Sequence, residues 1–298
     1  MIETLNSWLS TPTSSFGSIE YVLIAIFALI WGSFLSVVAY RLPLMRQRKH
    51  ILDTNETYGT DIEVTPDVNL AYPGSFCPNC QAKIPLYLNI PIVSYLLLRG
   101  KCSTCNAKIS LRYPILELLT LVVILVTVYC STDLWTAMFK FVPISVLIVL
   151  FWTDFESRLL PDNLTIPLGI IGLMVMGLYT DYYPSVSFLD ACLGLVLGYF
   201  ALASINFIYR LLRKSDGIGQ GDFKLFAALG AWFGWFMLPV ILLCASLVTL
   251  IYAAFTYKRS GLAYQREVPL GSFLAIVGIW FTALGVELEH FTFGSFIP

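Results

Sequence analysis

The sequence predicts an all-α, polytopic membrane protein with about eight transmembrane helices and a small cytoplasmic zinc-binding loop domain. Composition is the first of three observations behind that prediction. Over 298 residues the chain is 57% hydrophobic and 12% charged, with a mean hydropathy of +0.77, far from the ~25% charged residues of soluble proteins. The second is the recurrence of apolar stretches that reach or approach the ~20 residues a bilayer requires. The third is the distribution of Lys and Arg, which falls on one side of the resulting topology.

The apolar stretches run over 19–40, 114–130, 134–153, 164–180, 188–209, 223–236, 237–257 and 269–287. The sixth is short, and on length alone a re-entrant segment competes with a span. Charge decides for a span. With eight crossings and the N-terminus outside, of the 18 Lys and Arg residues only Lys140 faces the outer side. A re-entrant sixth segment would move Lys258, Arg259 and Arg266 to that side, against the tendency of basic residues to remain in the cytoplasm. The first forty residues contain no Lys or Arg. The stretch 19–40 therefore lacks the basic leader of a cleaved signal peptide and reads as a retained anchor.

Residues 41–112 form the one long polar insertion and, by the same count, lie in the cytoplasm. Cys77-Pro78-Asn79-Cys80 and Cys102-Ser103-Thr104-Cys105 are two Cys-x-x-Cys pairs separated by 21 residues, a spacing close to that of four-cysteine zinc sites. Each pair aims two thiolates at one point, and four thiolates close a tetrahedron, which makes the ion structural. Two disulfides are the alternative, and they suit a reducing cytoplasm poorly. Cys130, Cys192 and Cys244 are isolated in apolar spans and read as packing residues. The stretch 53–67 carries five acidic residues and no basic one, and reads as a solvated insertion.

Two carboxylates sit where charge is expensive. Gly217-Ile218-Gly219-Gln220-Gly221-Asp222-Phe223-Lys224 places three glycines at alternate positions before an aspartate at a membrane boundary. Glycine tolerates positive φ and close backbone approach, so the run reads as a shaped loop presenting Asp222. Asp154, in Asp154-Phe155-Glu156-Ser157-Arg158-Leu159-Leu160-Pro161-Asp162, ends the third span on the same cytoplasmic face. Two carboxylates a few Å apart do not both ionise comfortably, so one keeps a proton while the other acts as base. Such a pair can activate water and protonate a leaving amine without a metal.

Structural readings compete for each residue. Asp222 and Asp162 both open helical stretches, where aspartate caps well; capping is the preferred reading for Asp162. A carboxylate near a helix C-terminus opposes the dipole, which leaves Asp154 without that excuse. Glu156 competes for the second seat of the pair, and Lys224 reads as following the cytoplasmic bias of basic residues. His50 and His290 support no histidine-based chemistry.

In this order the motifs resemble the bacterial type IV prepilin peptidases. The matching residues are Gly32 to Pro43, the two cysteine pairs, Asn89 to Pro91, Arg99 to Cys102 and Arg112 to Pro114 with Glu117. They continue through Asp154 to Asp162, Gly217 to Lys224, and Pro269 to Gly271. The resemblance implies a bifunctional inner-membrane enzyme whose Asp154 and Asp222 form the dyad of an aspartic peptidase of the Gly-x-Gly-Asp type. Its substrates would be prepilins or pseudopilins of type IV pilus or type II secretion machinery. Each would be cut on the cytoplasmic side after the glycine that ends a short basic leader. Its second activity would methylate the new N-terminal amine from S-adenosylmethionine. Here Glu156, Gln220 and Ser36 stand where aspartate, an aromatic residue and asparagine are common.

No Gly-x-Gly-x-x-Gly follows a strand in the sequence, so a common S-adenosylmethionine fold is not expected. Gly100 and Glu117 are the expected contacts for methyl transfer. The chain then divides into an anchor (1–40), a cytoplasmic four-cysteine domain (41–112) and a membrane peptidase domain (113–298), with both termini periplasmic, the bilayer as partner and no nucleic acid. Two other classes stay open: a proton-coupled transporter, which would more often show internal repeats around a midplane site, and a non-enzymatic zinc-knuckle assembly factor.

Overall fold

A computed structural model describes residues 16–63, 67–72, 74–77, 79–85, 88, 90–131, 133–179, 186–260 and 268–285. Part of the acidic stretch, Pro78, Asn89, Arg266, His290 and both termini lie outside the described residues. The described chain is helical: α1 (Ser18–Tyr58), α2 (Val93–Leu97), α3 (Arg112–Tyr129), α4 (Leu134–Ser157), α5 (Asp162–Leu178), α6 (Phe188–Arg213), α7 (Gln220–Ser260) and α8 (Leu270–Leu284). Apart from two isolated bridges beside the cysteines, no strand pairing occurs among the described residues.

Five of these helices, α1, α3, α4, α6 and α7, are long and apolar enough to cross a bilayer, and α5 and α8 are shorter apolar helices. The chain is a membrane protein. Two features differ from the expected eight separate spans. Helix α1 does not end at Tyr40 but continues through Pro43 to Tyr58, its 41 residues covering about 60 Å at 1.5 Å per residue. The expected sixth and seventh spans form one element, α7, interrupted at Gly234.

Gly234 has φ 74° and ψ 168°, a combination essentially restricted to glycine. Ring and side-chain contacts show what it does. Before the break, Leu229 packs at Gly278 and Phe233 lies 6.2 Å from Phe281, so this arm runs alongside α8 in the same direction. After it, Tyr252 lies 5.3 Å from Phe273 and 6.0 Å from Phe155. The chain has therefore returned to the end of α8 that it left, and the two arms of α7 are antiparallel.

The chain divides within α3 into two compact units, Ser15–Val126 and a second containing Thr127–Pro298. In the second unit, the core comprises large apolar side chains from α4 to α8, including Leu147, Ile148, Leu150, Phe226, Leu229, Ile241 and Leu274. Glycine sets how closely its helices meet. A β-carbon on Gly194 of α6 would run into the Gly230 carbonyl of α7, and one on Gly230 into the Gly194 carbonyl. Gly172 of α5 leaves room for the Trp232 ring, whose Nε1–H donates to the Leu168 carbonyl at 2.9 Å. Small residues that bring helix backbones together are the usual basis of helix association inside a bilayer, where burial of apolar surface between helices gains little.

In the first unit, α1 and α3 cross at Gly32, where a β-carbon would lie 3.0 Å from Glu117 Cα. Beyond the apolar half of α1, the chain folds back along the helix. Arg48 pairs with Asp67 at 3.2 Å, and Arg41 donates to the Asn69 carbonyl at 2.7 Å. Gly194→Ala is expected to destabilise the protein by about 2 kcal/mol or more, as overpacking of a rigid contact does. Gly74→Ala, at a site with open space around it, should be neutral; melting of both variants in detergent measures the difference.

Candidate functional site

The second unit builds a buried carboxylate pair from three chain segments. Asp154 lies in the last turn of α4, which stops when Arg158 adopts φ 56° and returns its N–H to the Asp154 carbonyl at 2.9 Å. A left-handed residue at this point is a standard helix terminator. Asp222 lies in the first turn of α7, with its own N–H bonded to the Gly219 carbonyl at 3.1 Å. The third segment is the start of α8, Gly271-Ser272.

Gly271 is where the two side chains meet. An ideal β-carbon on it would lie 2.6 Å from Asp222 Oδ1 and 3.1 Å from Asp154 Oδ2. The two oxygens are thus separated by no more than the sum of those distances. Asp154 and Asp222 are buried, at 5% and 9% exposure, whereas Glu156, the sequence's competing carboxylate, is exposed. Ser272, fully buried, donates its backbone N–H at 2.6 Å and its hydroxyl at 2.7 Å to Asp154 Oδ2. This carboxylate is therefore fixed in direction as well as position.

The loop before Asp222 is held from α6. Asn206 accepts from the N–H groups of Gly217 (2.8 Å) and Ile218 (3.0 Å) and donates to Asp216 at 3.2 Å. Of the two properties that glycine offers such a loop, positive φ is not used, since none of Gly217, Gly219 and Gly221 has one. Close approach explains two of them: a β-carbon on Gly217 would lie 2.7 Å from the Tyr209 ring, and one on Gly221 the same distance from Leu160 Cβ. Leu160 also reaches over Gly271, so one side chain packs on the glycines that flank both carboxylates.

Asp162 is not the N-cap of α5. Pro161 takes that position without a side-chain cap, and Asp162 binds Lys224 at 2.8 Å. Charge distribution alone had accounted for Lys224. The pair ties the loop after Asp154 to the first turn after Asp222. Sequence reasoning also missed Ser272, Asn206 and Leu160. The signals available were a serine directly after Pro269-Leu270-Gly271 and an asparagine inside an otherwise apolar span.

The first unit gathers the cysteines. Sγ atoms of Cys77, Cys80, Cys102 and Cys105 all lie within 4.8 Å of one another, with Cys77 and Cys105 3.8 Å apart. All are free thiols. Four thiolates at 2.3 Å from one tetrahedral ion stand about 3.8 Å apart, so the cluster could hold a metal ion. Each pair closes the same small knuckle. The Cys77 and Cys102 N–H groups bond the carbonyls of Ala82 and Ala107, and the Gln81 and Asn106 N–H groups bond those of Cys77 and Cys102. Gln81 and Asn106 carry φ values of 58° and 56°. The repetition is written in the sequence as Cys-x-x-Cys, then Gln or Asn, then Ala-Lys-Ile, at 77–84 and 102–109.

Backbone N–H groups of Cys105 and Thr104 hold the Cys102 thiol down to about 6. The Ala107 N–H and the Asn79 amide lower that of Cys105. At Cys80 a bond from the Ala82 N–H lowers the thiol, but burial and the three neighbouring sulfurs outweigh it and push it up to about 11. Four clustered thiols thus share protons unequally.

Gly100 and Glu117 belong to the same unit. Gly100 has φ 66°, and a β-carbon on it would lie 2.7 Å from the Tyr95 hydroxyl. Glu117 is buried and accepts the Ile92 N–H at 2.8 Å. Each residue thus has a defined place in the local structure.

Comparison with known proteins places these features. Residues 26–131 match the model described as Bacterial Peptidase A24 N-terminal domain, and residues 141–254 match that of the Type IV leader peptidase family. A Neisseria gonorrhoeae relative is 40% identical over 266 residues, 88% of this chain and 90% of its own. One from Aeromonas salmonicida is 38% identical over 267 residues, 89% and 90% of the two chains. One from Dichelobacter nodosus is 36% identical over 298 residues, 98% and 99%. All three are named prepilin leader peptidase/N-methyltransferase. No solved structure matches.

The chain belongs to the type IV leader peptidase family. The carboxylate pair and the four-thiol cluster fall in different halves of that match. In such an enzyme, Gly271→Ala is expected to force the carboxylates and Leu160 apart. If that pair carries the reaction, leader cleavage should fall about 100-fold, the effect of a displacement near 1 Å in a reacting constellation; initial rates on a prepilin, with helicity checked by circular dichroism, measure it.

Proposed function

We propose that this protein removes the basic leader from prepilins or pseudopilins after a glycine, with Asp154 and Asp222 as the catalytic dyad. The observation that carries the reading is the convergence of two buried carboxylates on Gly271. Like charges this close inside an apolar bundle are best accommodated by one shared proton. The ionised member takes a proton from water, the water attacks the scissile carbonyl, and the protonated member donates to the leaving nitrogen. Ser272 holds Asp154 Oδ2 through that exchange, and the Lys224–Asp162 pair holds the two dyad segments together. The hydrophobic stem of the substrate lies among the spans with its leader at their cytoplasmic rim.

We place the chain in the inner membrane with eight crossings, counting the two arms of α7 separately. Both termini are then periplasmic and the dyad cytoplasmic. The anchor, cysteine domain and peptidase domain keep the boundaries read from the sequence (1–40, 41–112 and 113–298). The cluster binds structural zinc, which Cys77, Cys80, Cys102 and Cys105 hold as thiolates. Methylation of the new N-terminus with S-adenosylmethionine, with Gly100 and Glu117 as candidate contacts, rests on kinship with the named methyltransferases. Pilus or type II secretion machinery completes the set of partners.

Asp154→Asn and Asp222→Asn should each abolish leader removal while leaving the protein folded, read by mass spectrometry of a prepilin product. Substantial cleavage by either variant would remove that residue from the dyad. Purified protein should carry about one zinc per chain, and Cys77→Ser combined with Cys102→Ser should lose it. Metal binding requires deprotonated thiols, so protons compete with the ion. Acidification should therefore release zinc, and elemental analysis of the protein retained after dialysis over a descending pH series reports it.

A further inference from the structure

Between Val68 and Leu116 the sequence has five basic residues, Lys83, Arg99, Lys101, Lys108 and Arg112, and no Asp or Glu. The preceding stretch has the opposite bias. Both ends of this basic segment are tied to one level of α1. Arg41 holds the Asn69 carbonyl at 2.7 Å, and the Arg112 guanidinium lies 5.3 Å above the Tyr40 ring. That level is where the apolar run of α1 stops and its charged extension begins. The two knuckles hang between these attachments.

An apolar face is exposed on the same segment. Leu96 and Leu97 of α2 are 68% and 74% exposed and Leu111 is 60% exposed, with Ile90 and Val93 beside them. Two adjacent leucines this exposed, bordered by Arg99 and Lys101, are unlike the scattered apolar residues of a water-facing surface. From Leu111 the exposure continues onto α3 through Ile115, Leu118 and Val122, at the spacing of one helical face. If α3 crosses the bilayer, that face meets lipid, and Leu111 carries it into the basic segment that also exposes Leu96 and Leu97.

We propose that the cysteine domain lies on the membrane rather than projecting from it. Ile90, Val93, Leu96, Leu97 and Leu111 enter the interface, and Arg99, Lys101 and Lys108 contact anionic phospholipid headgroups. This rests on the reading that α1 and α3 span the bilayer. Apolar residues buried at headgroup depth beneath a basic rim are the general form of interfacial attachment. The absence of acidic side chains over this segment favours anionic lipid over a basic leader peptide as the occupant.

The test uses the full-length protein in nanodiscs of palmitoyl-oleoyl phosphatidylethanolamine and phosphatidylglycerol. Photoreactive p-benzoylphenylalanine is placed singly at Leu97, at Leu118 on α3, and at exposed Thr104 in the second knuckle; intact-mass spectrometry counts phospholipid adducts. Leu97 should capture lipid about as well as Leu118 and roughly five-fold more than Thr104. Combined Arg99→Gln, Lys101→Gln and Lys108→Gln should lower phosphatidylglycerol adducts at Leu97 about three-fold. Capture at Leu97 no greater than at Thr104, or capture of protein instead, with Leu118 still labelling, overturns the interfacial placement alone. A silent Leu118 overturns it together with the spanning reading. Adducts indifferent to the three substitutions overturn the headgroup contacts.

Discussion

The second unit is organised by the cost of placing two carboxylates at one point inside an apolar bundle. A charge removed from water needs a partner or fixed dipoles around it, and here those come from chain segments far apart in sequence. The start of α8 supplies the Ser272 donors to Asp154, Asn206 of α6 fixes the loop leading to Asp222, and Lys224 binds Asp162 across the site. Removing any one of these would leave the aspartates in place but loosely aimed. That is why the supporting residues are polar in otherwise apolar surroundings.

Glycine has three separate functions in this chain. At Gly234 it permits a backbone conformation closed to other residues and reverses α7. At Gly194 and Gly230 it lets α6 and α7 approach until their backbones touch. At Gly271 it leaves the space into which both carboxylates project. Only the first depends on positive φ; the other two depend on the missing side chain. The alternating glycines before Asp222 were compatible with either property, and the loop uses close approach at Gly217 and Gly221.

The helical class, the cysteine cluster and the location of both aspartates at helix ends were legible because each has a local signature: apolar length, Cys-x-x-Cys spacing, and charge beside an apolar run. What was not legible depends on contacts between distant segments. Nothing local distinguishes Ser272 from any serine at a helix start, or Asn206 from a tolerated polar residue in a span. The Asp162–Lys224 pair joins residues 62 apart, and each had an adequate local explanation. The continuation of α1 past Tyr40 was hidden by Pro43 and a cluster of charges, both of which usually mark a helix end. The sequence divided this region between 236 and 237, near the break in α7, but the glycine that turns the chain could be recognised only from its backbone angles.

The twin knuckles are built from one motif used twice, and each contributes two of the four sulfurs. Neither can complete a tetrahedral shell alone. During synthesis, the first knuckle must therefore wait until Cys105 has left the ribosome, by which time the whole of α1 has already emerged. Were the cluster to take a metal ion, a four-sulfur shell would thus close only after α1 had appeared.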